Sequence, residues 1–144
     1  MLNWAIAGPG RMAAAMAADF PRVTNGEMLA VGSRSIDRAA AFAAEHGIDR
    51  AYGSYAELIA DPDVDALYIA TPHAQHAELA LAAIEARKAV LVEKAFTTSV
   101  AETSRVIEAA RAAGVFAMEA MWTRFNPGIV EARRLVESGE IGEL

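Results

Sequence analysis

Gly8-Pro9-Gly10-Arg11-Met12-Ala13 decides how this chain is read. It follows the apolar run Leu2-Asn3-Trp4-Ala5-Ile6-Ala7 and opens an alanine-rich helical run from Met12 to Phe20. The order is strand, tight glycine turn, helix, the layout in which a dinucleotide pyrophosphate rests against a helix N-terminus. Gly8 is expected to allow the tight turn, and Gly10 to present no side chain that would hold a phosphate away. Ala13, in the third small position, lets the helix pack close to the strand. Unpaired backbone N–H groups at the helix start would then bind the anion. Glycine turns before helices are common, so the rest of the chain must support the same reading.

Outward from this turn, short apolar segments alternate with helical ones. Strands are expected at Leu2–Ala7, Met28–Gly32, Asp65–Ala70, Ala89–Glu93 and Val115–Ala120, with Ala51-Tyr52 as a very short extra one. Each is nearly all apolar, as in parallel strands covered on both faces. Helices are expected at Ser35–His46 before Gly47, at 55–60, at Ala74–Arg87, at 100–113 before Gly114, and at Pro127–Glu137. Ser54-Tyr55-Ala56-Glu57 and Ser99-Val100-Ala101-Glu102 read as capping boxes. This alternation predicts an α/β fold, a Rossmann-type doubly wound parallel sheet with helices on both faces. A length of 144 residues, 54% of them apolar, fits one domain, 1–144, with a sizeable core.

Composition narrows the function classes. A net charge of −6 argues against nucleic acid as a main ligand, since phosphate backbones select basic faces. No apolar run reaches bilayer length and no signal peptide is evident, so a soluble, cytoplasmic protein is expected, with no membrane partner. The absence of cysteine excludes disulfides and thiol catalysis.

Ligands of such sheets bind beyond the carboxyl ends of the strands. After the second strand come Ser33-Arg34 and then Arg38, where an NAD binder usually has an acid. Arginine there suits a 2′-phosphate, so NADP is expected over NAD, unless both are ordinary surface arginines. After the next main strand come Thr71-Pro72-His73-Ala74-Gln75-His76. His73 is expected at the rim of the nucleotide crevice and His76 in the first helical turn; either could instead be solvent-facing or capping. No acid cluster or cysteine completes a metal site with them, and none is expected. Glu93-Lys94 follows the next strand, and Lys94 could bind a substrate oxygen and stabilise alkoxide character. Trp122, Arg124 and Phe125 follow the last strand, as a wall of the cleft or a junction to another domain.

With these residues assembled, the chain resembles the glucose–fructose oxidoreductase / inositol dehydrogenase (Gfo/Idh/MocA) family, nearest to its dimeric dihydrodiol dehydrogenase-like and anhydrofructose reductase-like members. The motifs are Gly8-Pro9-Gly10-Arg11-Met12-Ala13, Ser33-Arg34, Thr71-Pro72 with His76, Glu93-Lys94, and Met118 to Phe125. The resemblance implies an NADP-dependent oxidoreductase acting on a hydroxyl or carbonyl carbon of a sugar or diol. It makes Arg34 and Arg38 the 2′-phosphate readers and Lys94 the active-site lysine. It places Trp122 and Arg124 near the nicotinamide or substrate, and gives Gly8, Gly10, Arg11, Met12, Ser33, Thr71, Pro72, His73, His76 and Glu93 to the cofactor site. Two departures stand out. Ala95 replaces a family proline associated with a cis bond, which costs roughly 3 kcal/mol before other residues, so a slightly different Lys94 loop is expected. The family also continues into a second domain that supplies the acid/base residue and the oligomer interface, and the chain is expected to be the cofactor domain without it. A stand-alone, non-catalytic NADP(H)-binding module is the alternative.

Overall fold

The computed structural model describes residues 1–142. Six strands form one sheet: β1 (Leu2–Ala7), β2 (Gly26–Gly32), β3 (Arg50–Tyr52), β4 (Ala66–Ile69), β5 (Ala89–Val92) and β6 (Ala117–Glu119). Their order is β3-β2-β1-β4-β5-β6, and every pairing is parallel. The order reverses between β1 and β4, which opens a crevice at their carboxyl ends.

Six helices cover the sheet or follow it: α1 (Arg11–Asp19), α2 (Ile36–His46), α3 (Tyr55–Ala60), α4 (His76–Glu85), α5 (Val100–Ala113) and α6 (Pro127–Glu137). Alternate strand residues point to opposite faces. Ile6, Val31 and Tyr68 therefore pack with Ala13 of α1 and Phe42 of α2 on one side. Ala5, Leu67 and Ile69 pack with Leu58 of α3, Ile84 of α4 and Val106 of α5 on the other. α6 contributes nothing to either cluster, and its Ile129 and Val130 are exposed.

The elements end where their sequence signals stand. Ser35, Ser54 and Ser99 each accept a hydrogen bond from the backbone N–H three residues on, and Gly47 and Gly114 close α2 and α5 in the left-handed conformation. Two expected helices have other bounds. The first begins one residue earlier than expected, at Arg11, and stops at Asp19, where Pro21 carries the chain into a 3-10 turn, Phe20–Arg22. The expected run Ala74–Arg87 divides into a 3-10 turn, His73–Gln75, and α4, with the Gln75 N–H bonded back to the Pro72 carbonyl.

A buried polar knot closes the loop entering β4. Asp61 accepts from Tyr52 Oη at 2.7 Å, from Arg50 Nη1 at 2.9 and 3.0 Å, and from the Asp63 N–H at 3.0 Å. Lys88 Nζ donates to the Asp61 and Val64 carbonyls at 2.7 and 2.6 Å. Burial alone would raise the Asp61 carboxyl, but the bonds from Tyr52, Asp63 and Arg50 outweigh it and hold the group below its ordinary value.

Candidate cofactor site

The two glycines of the first turn differ in kind. Gly8 has φ +96°, and a Cβ there would lie 2.9 Å from Thr71 Cγ2 and 3.1 Å from the Thr71 nitrogen. The fold itself therefore requires glycine at position 8. Gly10 has ordinary extended angles, φ −125° and ψ −174°, and a Cβ there would meet nothing within 4 Å. Its missing side chain leaves open space in front of the start of α1.

That helix start is bare. α1 has no side-chain cap and no acid in its first turn. By contrast α2, α3, α5 and α6 are capped by Ser35, Ser54, Ser99 and Asn126, and α4, which also lacks a side-chain cap, carries Glu78 in its first turn. The first N–H groups of α1 can reach no carbonyl within the helix, so they remain available to an anion over Gly10. Arg11 is exposed at the first helical position, and Met12 is exposed one residue on.

Two exposed arginines stand beside this turn. Arg38 Nη2 donates to the Pro9 carbonyl at 3.4 Å, which ties the start of α2 to the glycine turn. Arg34 follows buried Ser33, whose N–H bonds the Tyr52 carbonyl and whose hydroxyl accepts from the Ser35 N–H at 3.3 Å. Burial raises the Tyr55 hydroxyl above its ordinary value, and the positive fields of Arg34 and Arg38 oppose that rise. The two guanidiniums and Tyr55 thus share one corner beyond β2 and β3.

Beyond β4, Thr71 is only 7% exposed, and its hydroxyl has no partner among the described residues; neither has Gln75 Oε1. Buried polar atoms are seldom left so. Pro72 holds the chain extended into the 3-10 turn. His76 is neither solvent-facing nor a cap: it is 0% exposed, with Nε2 2.9 Å from the Thr71 carbonyl oxygen and Nδ1 3.0 Å from that of Ala95. The helix carries it inward because the 3-10 turn shifts the start of α4 onto residue 76. His73 is exposed, and its Nε2 lies 3.1 Å from the Lys94 carbonyl oxygen.

The segment after β5 is held by its own Glu93, by His73 of the 3-10 turn, by His76 of α4 and by Glu119 of β6. The Lys94 N–H donates to Glu93 Oε2 at 3.2 Å, and the Phe96 N–H donates to Glu119 Oε1 at 2.8 Å. Glu93 in turn accepts from Tyr68 Oη at 2.6 Å. Burial, reinforced by that carboxylate, pushes the Tyr68 hydroxyl well above its ordinary value and keeps it a donor. The Lys94–Ala95 peptide is cis. The Lys94 side chain itself is exposed.

A cavity of about 330 Å³ opens beside this segment, with Met12, Met16, Tyr68, Glu93, Met121 and Trp122 in its wall. Arg124, on the same turn as Trp122, is exposed and is not part of that wall. Three residues here were not singled out as functional from sequence. Tyr68 looks like one more apolar strand position, and Glu119 like a strand terminus. Tyr55 reads as the second residue of a capping box. Their polar atoms acquire roles only through neighbours distant in the chain. Among the described residues no cluster of three or more metal-ligating side chains occurs, and no helix is long and apolar enough to cross a membrane.

Strand order, a glycine turn at the reversal point and a bare helix start together define a dinucleotide-binding α/β protein. The chain belongs to the Gfo/Idh/MocA oxidoreductase family, whose NAD-binding Rossmann fold matches residues 2–121. It is 40% identical over 146 residues to trans-1,2-dihydrobenzene-1,2-diol dehydrogenase of Bos taurus, covering 99% of this chain and 43% of that protein. It is 50% identical over 93 residues to the D-xylose 1-dehydrogenase (NADP(+)) of Hypocrea jecorina, covering 65% of this chain and 24% of that protein. Among solved structures, an NAD binding oxidoreductase from Klebsiella pneumoniae superposes with a TM-score of 0.91 at 32% identity, covering 99% of this chain and 40% of the other. The chain spans about two fifths of the length of the bovine relative.

Proposed function

We propose that this chain is the NADP-binding part of an oxidoreductase that transfers hydride between NADP(H) and a hydroxyl or carbonyl carbon of a sugar or diol. The observation that carries the cofactor choice is the pair Arg34 and Arg38, placed beside the glycine turn where a reader of the ribose 2′-hydroxyl would have an acid. Two guanidiniums suit the charge and the fork geometry of a 2′-phosphate. The substrate class is taken from the bovine and fungal relatives, which are named as diol and sugar dehydrogenases. Their being dehydrogenases does not favour a non-catalytic binding module.

The residues fit such a cofactor. The bare start of α1 and the open space over Gly10 would receive the pyrophosphate, and the unpaired Thr71 hydroxyl lies beside them. The nicotinamide, when bound, supplies or accepts the hydride. Lys94 reaches into solvent from a backbone held by Glu93 and His73, so the root of its side chain is fixed while its ammonium is free to meet a substrate. There it would donate to the substrate oxygen and stabilise negative charge developing on it. Trp122 and Met12 would exclude water from one side. Arg124 would approach the substrate from the rim. The proton transfer, the rest of the substrate pocket and any homo-oligomer contact are assigned to a second domain of the kind family members carry. A cytoplasmic setting accompanies this reading.

The test is a pair of titrations, NADPH and NADH, against the chain and its Arg34→Ala variant. NADPH should bind at least about tenfold tighter than NADH, and the variant should remove most of the difference. Equal affinities in the unaltered chain would overturn the cofactor assignment.

A further inference from the structure

One buried contact in the nicotinamide half goes beyond cofactor choice. The crevice divides at the β1/β4 boundary, with Arg34 and Arg38 on the β2 side and Glu93 and Lys94 on the β5 side. A dinucleotide anchored at the start of α1 with its 2′-phosphate at the arginines extends its other half over β4 and β5. At that end, Glu93 joins the wall of a largely apolar cavity, whose other acid, Asp19 at the end of α1, is exposed and paired with Arg22. The two carboxylate oxygens of Glu93 are committed: Oε1 to the Tyr68 hydroxyl at 2.6 Å, and Oε2 to the Lys94 N–H at 3.2 Å. Tyr68 is 2% exposed, in the middle of the sheet between β1 and β5, so its hydroxyl cannot move to follow a wandering carboxylate.

We propose that Tyr68 is a positioning residue that fixes the Glu93 carboxylate beside the nicotinamide, where its charge favours the oxidised, cationic ring over the reduced, neutral one. The inference rests on the NADP reading given above. The physical basis is simple. NADP⁺ and NADPH share the adenine, the phosphates and both riboses, so Arg34, Arg38 and the glycine turn act on them alike. Only the nicotinamide ring differs, by one positive charge. A fixed anion near that ring, against apolar walls where charge interactions are screened less than in water, separates the two forms. A mobile carboxylate would retreat to solvent and discriminate far less. Lys94 carries the opposing charge, but its side chain is exposed, so water screens it, and the reading above gives it to the substrate oxygen.

The experiment measures the dissociation constants of NADP⁺ and NADPH by calorimetry on the unaltered chain, on Tyr68→Phe and on Glu93→Gln. Both variants should raise the ratio Kd(NADP⁺)/Kd(NADPH), by roughly three- to tenfold. The larger change is expected for Glu93→Gln. The preference for NADPH over NADH, set at the arginines, should not move. Tyr68→Phe retains the buried ring; if its loss of a hydroxyl still prevents folding, Glu93→Gln at the half-buried strand end decides the charge effect alone. An unchanged ratio in Glu93→Gln, or equal weakening of both nucleotides, overturns the proposal while leaving the NADP reading intact. A shift in Glu93→Gln with none in Tyr68→Phe removes the role given to Tyr68. Failure of the unaltered chain to bind either nucleotide overturns both.

Discussion

The knot around Asp61 and the crevice beyond the strand ends use the same polar chemistry to opposite ends. At Asp61, both carboxylate oxygens accept from the Tyr52 hydroxyl, the Arg50 guanidinium and the Asp63 N–H, while the Lys88 ammonium donates to the Asp61 and Val64 carbonyls. At the crevice, α1 begins without a cap, Thr71 Oγ1 is buried without a partner, and Arg34 and Arg38 stand exposed together. Buried polar groups that complete each other serve stability, since breaking any one leaves the rest unpaired. Hydrogen-bonding capacity left open at a strand-end crevice is capacity for a ligand. The Lys94 segment lies between these cases, its backbone fully held while its side chain is free.

The sharpest break in this contrast is at the first glycine. Gly8→Ala should destabilise the fold by about 3 kcal/mol, because the new Cβ meets Thr71 at a positive φ. Chemical denaturation would measure it, and nucleotide binding should fall with it. Asp61→Asn should cost about 2 kcal/mol by leaving Arg50 and Tyr52 imperfectly paired, yet leave NADPH affinity where it was. A joint loss of binding would show that the two regions are not separable.

Acid should reach the same knot. The Asp61 carboxyl is held below its unfolded value, so its contribution is complete above about pH 4 and is lost as pH falls through the lower folded value. Melting temperature against pH should therefore drop more steeply below about pH 4 in the unaltered chain than in Asp61→Asn. Parallel curves would remove the knot from the acid response. The smallest change in stability is expected at the second glycine. Gly10→Asp supplies the missing cap and a charge favourable to the helix dipole, so the free protein should gain about 0.5–1 kcal/mol.

The sheet was legible in the sequence because each strand is a short apolar run and each helix carries its own stop. Ser54, Ser99, Gly47 and Gly114 act where local signals say they act. The glycine turn was legible for the same reason. What sequence could not disclose is which side chains meet across the sheet. The burial of His76 depends on a 3-10 turn that moves the start of α4, and both its partners, Thr71 and Ala95, are carbonyls fixed by tertiary packing. Tyr68 and Glu93 are 25 residues apart and meet only because β4 and β5 are neighbours. Arg124 shows the converse, since its adjacency to Trp122 in sequence does not bring it into the cavity wall.

The most direct test is thermal unfolding of the chain and of Gly10→Asp, each with and without saturating NADPH. NADPH at about 100 times its Kd should stabilise the unaltered chain by about 2.7 kcal/mol. Gly10→Asp should melt higher than the unaltered chain when free and show no NADPH shift, because its carboxylate occupies the place of the phosphate. A full NADPH shift in Gly10→Asp, or none in the unaltered chain, would contradict the assignment of the bare helix start to a dinucleotide.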